Sequence, residues 1–116
     1  DDEFDVLNNY DFELIMQHGE PYFFSNNLPK DEDEGKYYND REDYQDFYKA
    51  AAVFPIQRSY FQDLESGQEQ TINDLMGFLC VDSSETDVFD KDETFAVMST
   101  VADAMYWPLR RLKDTQ

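Results

Sequence analysis

The sequence predicts an α+β protein in which helices pack on an antiparallel sheet. Two apolar segments with the composition of strands, residues 49–61 and 75–81, are joined by a polar connection that suits a hairpin. An amphipathic helix is predicted to follow them. Hydrophobic residues make up 41% of the 116 residues and aromatic residues 16%, enough for one modest core. We therefore expect residues 1–116 to form a single domain.

The first predicted elements are a short helix and a short strand. Residues 8–19 have a helical pattern, with Asn8 or Asn9 as the capping residue and Gly19 at the C-terminal end. Residues 22–25, Tyr-Phe-Phe-Ser, have the composition of a strand.

The next segment, residues 26–48, is predicted to be a long exposed loop. It is rich in Asn, Asp, Gly and charged residues, which favour turns over regular structure. Four consecutive acids at 31–34 repel one another, which favours a solvated position. One helical turn is expected at 44–48.

Two further strands follow this loop. Residues 49–61 form the second predicted strand, and Pro55 must lie at an edge, at a bulge or with its ring nitrogen towards solvent, because it has no N–H group. Residues 62–74 are predicted to be the polar connection, around Gly67. Residues 75–81 form the third strand, and their lack of strict alternation predicts burial on both faces and a central position.

The last element is predicted to be a helix that starts with a cap. Asp90 followed by Glu93 is typical of a helix N-terminus. Pro108 is expected to kink or end the helix near Trp107. Residues 109–116 then resemble the start of a connector helix. The apolar stripe of the helix comprises Phe95, Met98, Val101, Ala102 and Met105.

The charge of the chain disfavours nucleic acids as partners. There are 27 acids and 9 lysines and arginines, a formal net charge of −18, and 15 of the acids lie in residues 1–46. Such a surface repels phosphates, whereas it suits basic proteins, cations, a salt-rich habitat or simple solubility. The sequence contains no run of about 20 apolar residues that would predict a membrane span. A single cysteine favours a reduced compartment, and we expect a cytoplasmic protein.

The sequence offers little material for catalysis or for binding metals. It has one histidine, His18, and one cysteine, Cys80, and no phosphate-binding glycine motif. Residues 82–93 place oxygen-bearing side chains at loop positions 1, 3, 5, 9 and 12 of a calcium-binding pattern. Position 6, however, is Asp87 rather than glycine. A strand exit followed by a helix cap explains the same residues. We predict no catalytic and no metal-binding residues, and no enzyme.

The order of these segments resembles the C-terminal half of a GAF domain. The matching segments are FYKAAAVFPIQ (47–57) and, after the polar connection, GFLCVDSSETDVFDKDETFAVMSTVADAMYWPL (77–109). The upstream GEPYFFSNNLPKD is similar to the strand of that family that leads into an Asn-Asp step, with Asn27 where Asp is common. The resemblance covers about residues 20–110. The family usually has a further helix and one or two strands before this point, so the sequence predicts a truncated form of the fold.

The resemblance implies a sensory or dimerisation module that binds a small molecule between its sheet and residues 26–48. Aromatic residues beside two asparagines also suit a pocket with a few polar groups. The candidate ligand-binding residues are Tyr22, Phe24, Asn26, Asn27, Tyr44 and Tyr48. An ordinary core with anchoring tyrosines explains the same aromatic residues. The sequence identifies neither a ligand nor a cofactor.

A homodimer is predicted from the end of the last helix. Trp107, Leu109 and Leu112 extend past Pro108, where the sequence predicts no core to cover them. The resemblance implies that the terminal helices of two copies form a parallel bundle. The alternative is that Trp107 folds back into its own core.

Two functions remain open from the sequence. The first is a non-catalytic sensory or regulatory module of a larger signalling protein, which binds a small molecule or dimerises. The alternative is an acidic interaction protein that mimics nucleic acid and occupies basic partners, as the −18 charge suggests.

Overall fold

A computed structural model describes residues 9–116 and confirms an α+β fold with an antiparallel sheet. In chain order the elements are α1 (Tyr10–His18), β1 (Phe23–Ser25), α2 (Leu28–Asp33), a 3-10 turn (Tyr44–Asp46), β2 (Ala50–Asp63), β3 (Glu69–Ser83) and α3 (Lys91–Asp114). Helix α1 begins after Asn9 and ends at Gly19, whose positive φ of 71° lets its N–H group bond back to the carbonyl of Leu14. Asn8, the other predicted cap, lies outside the described residues.

The sheet has three strands in the order β1-β2-β3, all antiparallel. The hairpin between the second and third predicted strands is confirmed, with Val53 opposite Cys80. Its connection is shorter than the predicted 62–74, because the pairing continues to Asp63 opposite Glu69 and leaves only residues 64–68 between the strands. The predicted central position of residues 75–81 is wrong, because β1 pairs with β2 and leaves β3 at an edge of the described sheet. The central strand is β2, and its inner half, residues 50–56, is buried.

Pro55 lies in β2, where two features accommodate its missing N–H group. Strand β1 pairs only with residues 51–53, so that edge of β2 is open beside Pro55. A bulge next to it, between Ile56 and Gln57, places Met76 as an extra residue in β3. The position predicted from sequence, at a bulge and beyond the paired edge, is confirmed.

The two faces of the sheet carry separate cores. On one face, α1 and the segment before β2 pack on the sheet; the buried residues there are Ile15, Phe23, Leu28, Tyr37, Tyr44, Ala51 and Val53. On the other face, α3 packs on alternate residues of β2; its buried residues are Ala52, Phe54, Ile56, Met98, Ala102 and Tyr106. The alternation along β2 follows from the two-residue period of a strand.

Residues 26–48 are not one long exposed loop as predicted. Asn27 caps α2 by accepting a bond of 3.1 Å from the N–H of Lys30, and Leu28 is fully buried. Tyr44, in the 3-10 turn that the sequence predicts at 44–48, donates its hydroxyl hydrogen bond to the carboxylate of Glu32. Short helices and buried tyrosines therefore fix this segment to the first core, because its polar residues make caps and hydrogen bonds.

Helix α3 runs for 24 residues and does not end near Trp107, which was one of the two effects predicted for Pro108. Its start is as predicted, with the side chain of Asp90 accepting a bond of 2.9 Å from the N–H of Glu93. Pro108 lies inside the helix, so residues 109–114 continue α3 and do not start a separate connector. The second half of the helix is held by Asp74 of β3, which accepts bonds from Tyr106 and Arg110. These contacts offset the single backbone bond that proline removes. No helix in residues 9–116 combines the length and apolarity needed to cross a membrane.

Candidate functional site

The candidate site is a groove of about 420 Å³ between the outer half of β2 and the second half of α3. Its lining residues are Arg58, Ser59, Tyr60, Tyr106, Trp107, Arg110 and Asp114. The groove exists because β2 and β3 extend well beyond β1 and α3 continues along them past Pro108. This volume falls within the usual range for small-molecule sites, roughly 300–1,000 Å³.

Ion pairs hold the two walls of the groove together. Arg58 of β2 donates to the carboxylate of Asp103 on α3 at 2.8 Å, and also to the backbone carbonyl of Asp103 at 3.3 Å. Arg110 of α3 donates to Asp74 of β3 at 2.5 Å and lies 3.3 Å from Asp114. Each guanidinium carries five N–H donors, so each retains donors that can face a ligand.

Asp74 of β3 accepts two hydrogen bonds from α3, next to the groove. The hydroxyl of Tyr106 donates to it at 2.5 Å, and this bond, followed by the bond from Arg110, lowers the pKa of Asp74. The same bond raises the pKa of Tyr106, because it stabilises the protonated hydroxyl. These pKa shifts favour the ionised form of Asp74 and the neutral form of Tyr106, which are the forms that make this hydrogen bond.

Aromatic rings give the groove its exposed surface. Trp107 is 57% exposed and Tyr60 is 48% exposed. The ring of Trp107 meets the ring of Tyr106 edge-on, with centroids 5.0 Å apart and planes at 84°. Arg58 lies 5.6 Å from the centroid of Tyr106. Such surfaces stack flat rings and place guanidinium donors at their edges.

Ser59 also lines the groove. The hydroxyl of Ser59 bonds to the amide oxygen of Asn73 at 3.1 Å. The only histidine, His18, belongs to α1 and lies 3.7 Å from Glu13. Within the part of the chain that the structure describes, no group of three or more His, Cys, Asp or Glu residues is placed to hold a metal ion.

The six residues predicted to bind a ligand do not converge on one cavity. Tyr22 stacks on Phe54, with centroids 5.1 Å apart, on the α3 side of the sheet, and Phe24 lies on that side too. Tyr44 and Tyr48 belong to the core on the opposite face. Tyr22 and Phe24, two positions apart, point to the same face, and the segment with Tyr44 and Tyr48 covers the other.

The two asparagines of that set hold the backbone in place. The side chain of Asn26 donates to the carbonyl of Phe89 at 2.8 Å and accepts from the N–H of Phe89 at 3.1 Å. Asn26 thus connects β1 to the loop before α3, whereas Asn27 caps α2. Tyr48 accepts a bond of 2.6 Å from Asn39, which also donates to Tyr37. The polar groups of Asn26, Asn27 and Tyr48 therefore make hydrogen bonds within the protein.

The three predicted interface residues have different environments. Trp107 and Leu112 are exposed, at 57% and 58%. Leu109 is half-buried and packs against the core under α3, so the prediction that it lacks an intrachain core is wrong. Its burial follows from the continuation of α3 along the hairpin past Pro108.

Most residues of the groove were not predicted from the sequence, which indicated only Trp107. Arg58 and Tyr60 share a strand face because they are two residues apart, and Tyr106 and Arg110 share a helix face because they are four apart. These spacings show pairs that belong together, but only the structure places the strand pair beside the helix pair.

Comparisons with protein families, with curated proteins and with solved structures found no match to this chain. The class that the structure defines is an α+β protein with an open three-stranded antiparallel sheet and one long helix across one face. The resemblance of residues 20–110 to a GAF domain stays a prediction.

Proposed function

We propose that the chain is a non-catalytic regulatory module of a signalling protein, which binds a flat aromatic small molecule in the groove between β2 and α3. The observation that supports this most is the exposure of Trp107 and Tyr60 on a groove of about 420 Å³ that also presents two guanidinium groups. A ring lying on this surface buries apolar area on both sides.

The charges around the groove restrict the ligand. Three carboxylates, those of Asp74, Asp103 and Asp114, accompany the two arginines, and the whole chain carries −18. A ligand with several phosphates would meet a repulsive field. A ring with one carboxylate or carbonyl group needs only one spare guanidinium N–H and avoids that repulsion. We therefore assign the groove to mono-anionic or neutral aromatic compounds.

The fluorescence of Trp107, the only tryptophan, tests this proposal directly. Titration with 2-naphthoate is expected to give a saturable change in emission, whereas cyclohexanecarboxylate, which has the same charge but no flat ring, gives none. Tyr60→Ala is expected to weaken binding about three- to tenfold, since aromatic pairs contribute about 0.5–1.5 kcal/mol. Phe61→Ala is the matched control, because Phe61 is 73% exposed and does not line the groove.

The proposal fails if 2-naphthoate and cyclohexanecarboxylate behave alike at millimolar concentrations. It also fails if Tyr60→Ala and Phe61→Ala have equal affinities. A thermal-shift measurement with the same compounds provides an independent readout, because a ligand that binds only the folded chain raises the melting temperature.

A second candidate function is homodimerisation through the same end of α3. Trp107 and Leu112 support it, since both present more than half of their surface to solvent. Light scattering of the native chain against Trp107→Ala and Leu112→Asp tests it. A dimer that both substitutions dissociate is the expected result, and a monomer at high concentration contradicts it. A dimer over Trp107 would cover the groove, so 2-naphthoate would then compete with association.

A further inference from the structure

The outer edge of β3 is a long strand edge without a neighbour. Strand β3 pairs with β2 on one side, and within residues 9–116 no strand pairs with its other side. None of its 15 residues is buried, although residues 75–81 form an uncharged run, Leu-Met-Gly-Phe-Leu-Cys-Val. Natural sheets usually protect such an edge with charges, prolines or bulges. Here the bulge at Met76 is followed by a regular, uncharged stretch up to Val81.

Helix α3 carries a second apolar stripe beside this edge. Its core-facing residues include Met98, Ala102 and Tyr106. The second stripe, at spacings of four, three and four residues, consists of Val97, Val101, Ala104 and Pro108. Val97 is 61% exposed, the most exposed apolar side chain of the helix. The helix therefore offers more apolar surface than the sheet covers.

A cavity of about 280 Å³ joins the strand edge to the helix stripe. It lies between Val81 of β3 and Val97 of α3, with Phe89, Glu93, Thr94 and Met98 around it. An extended segment paired with β3 would lie alongside α3, and its side chain opposite Val81 would point into this cavity. The pattern of residues 75–81, which predicts burial on both faces, is consistent with a strand that has a neighbour on each side.

Charge determines what kind of segment fits. The end of the edge at Asp82 is strongly acidic, because residues 82–93 contain six acids and one lysine. At the other end, Asp74 is neutralised by Arg110. The β3 strand of a second copy contains no lysine or arginine that could pair with the acids next to Asp82. A segment with basic residues next to Asp82 complements this field.

We propose that the outer edge of β3 and the second stripe of α3 form a docking site for an extended peptide segment of a partner protein. The segment adds to the sheet as a fourth strand, antiparallel to β3, which is the commoner pairing. It alternates apolar and polar residues and carries lysine or arginine at its N-terminal end. In an antiparallel strand, the N-terminal end of the peptide lies beside Asp82, near the C-terminal end of β3 and next to the acids of residues 82–93.

Three synthetic peptides test the proposal with the full chain. The first has two lysines followed by four Val-Thr repeats, the second has the lysines at the other end, and the third replaces them by glutamates. The first is expected to bind most tightly, about tenfold better than the third, since each exposed ion pair contributes up to about 1 kcal/mol and each like-charge pair opposes binding. The difference should shrink in about 0.5 M salt.

Hydrogen exchange and two variants locate the bound peptide. The first peptide is expected to slow amide exchange within residues 75–81. Val97→Glu should weaken its binding at least fivefold, whereas the matched control Ala96→Glu, also exposed but outside the cavity, should not. Asp82→Lys should reduce the preference for the first peptide over the third, since five of the six acids of residues 82–93 remain. Melting curves of each variant confirm that it is folded.

Three results would overturn the proposal. The first is absence of saturable binding by the first peptide, and the second is equal binding by Val97→Glu and Ala96→Glu. The third is a homodimer of the unliganded chain that Val97→Glu dissociates, because the edge would then belong to a second copy.

Discussion

Replacement of Asn26 by alanine is the most direct test of how α3 is fixed to the sheet. The side chain of Asn26 makes two part-buried hydrogen bonds, of 2.8 and 3.1 Å, to the backbone of Phe89 just before α3. The substitution leaves the N–H and the carbonyl of Phe89 without these partners. At about 1 kcal/mol for each bond, plus a share of the penalty for unpaired groups, we expect a loss of about 2–3 kcal/mol in the free energy of unfolding.

Thermal unfolding by circular dichroism measures this loss. A chain of 116 residues has an unfolding entropy near 0.24 kcal/mol/K, so Asn26→Ala should lower the melting temperature by about 8–12 °C. Asn27→Ala is the matched control. It removes one exposed cap bond, a loss of about 1 kcal/mol, or about 4 °C. Equal effects of the two substitutions would refute the view that Asn26 fixes the start of α3.

Three further predictions concern charge. Raising the salt concentration to about 0.5 M should raise the melting temperature, because screening weakens the self-repulsion of a chain at −18, and an unchanged or lower value would contradict this. Burial raises the pKa of Asp11, so its ionisation opposes folding above pH 3.8, the pKa of an unperturbed aspartate. Asp11→Asn should therefore raise the melting temperature at pH 7. This gain in melting temperature should disappear below pH 3.8. Desolvation, together with the charges of Asp11 and Asp82, raises the pKa of the Cys80 thiol to about 11. Iodoacetamide at pH 8 should therefore modify Cys80 at least about tenfold more slowly than free cysteine. An equal rate would contradict this prediction.

Local signals in the sequence predicted the elements whose ends are fixed by neighbouring residues. Asp90 accepts the bond from Glu93 that the capping pattern predicts, and Gly19 ends α1 in the conformation that glycine favours. The hairpin between β2 and β3 was also predicted, because two apolar segments flank a polar turn. These features depend on contacts between residues that are close in sequence.

The errors concern contacts between residues that are distant in sequence. A proline usually ends a helix. Here the bond between Asp74 and Arg110, which are 36 positions apart, holds the helix beyond Pro108. Residues 75–81 predicted a central strand, but strand order depends on which edge of β2 accepts β1. The candidate ligand residues failed to converge for the same reason. The alternation of a strand shows that Tyr22 and Phe24 share a face, but not which face residues 44–48 will cover.

The two polar attachments of α3 make its ends unequal. The bonds from Asn26 to Phe89 at its start and the bonds from Tyr106 and Arg110 to Asp74 are part-buried, whereas the last contact, between Arg110 and Asp114, is exposed and lies within the helix itself. Water competes more readily for the exposed pair, so amides near residue 110 should exchange hydrogen faster than those near Met98. Between these points the helix is about 36 Å long at 1.5 Å per residue, and it rests partly on small side chains such as Ala102. A sideways force on the last turn would therefore move the residues that follow the contact between Arg110 and Asp74, and the groove beside Asp114 would widen or narrow with that movement.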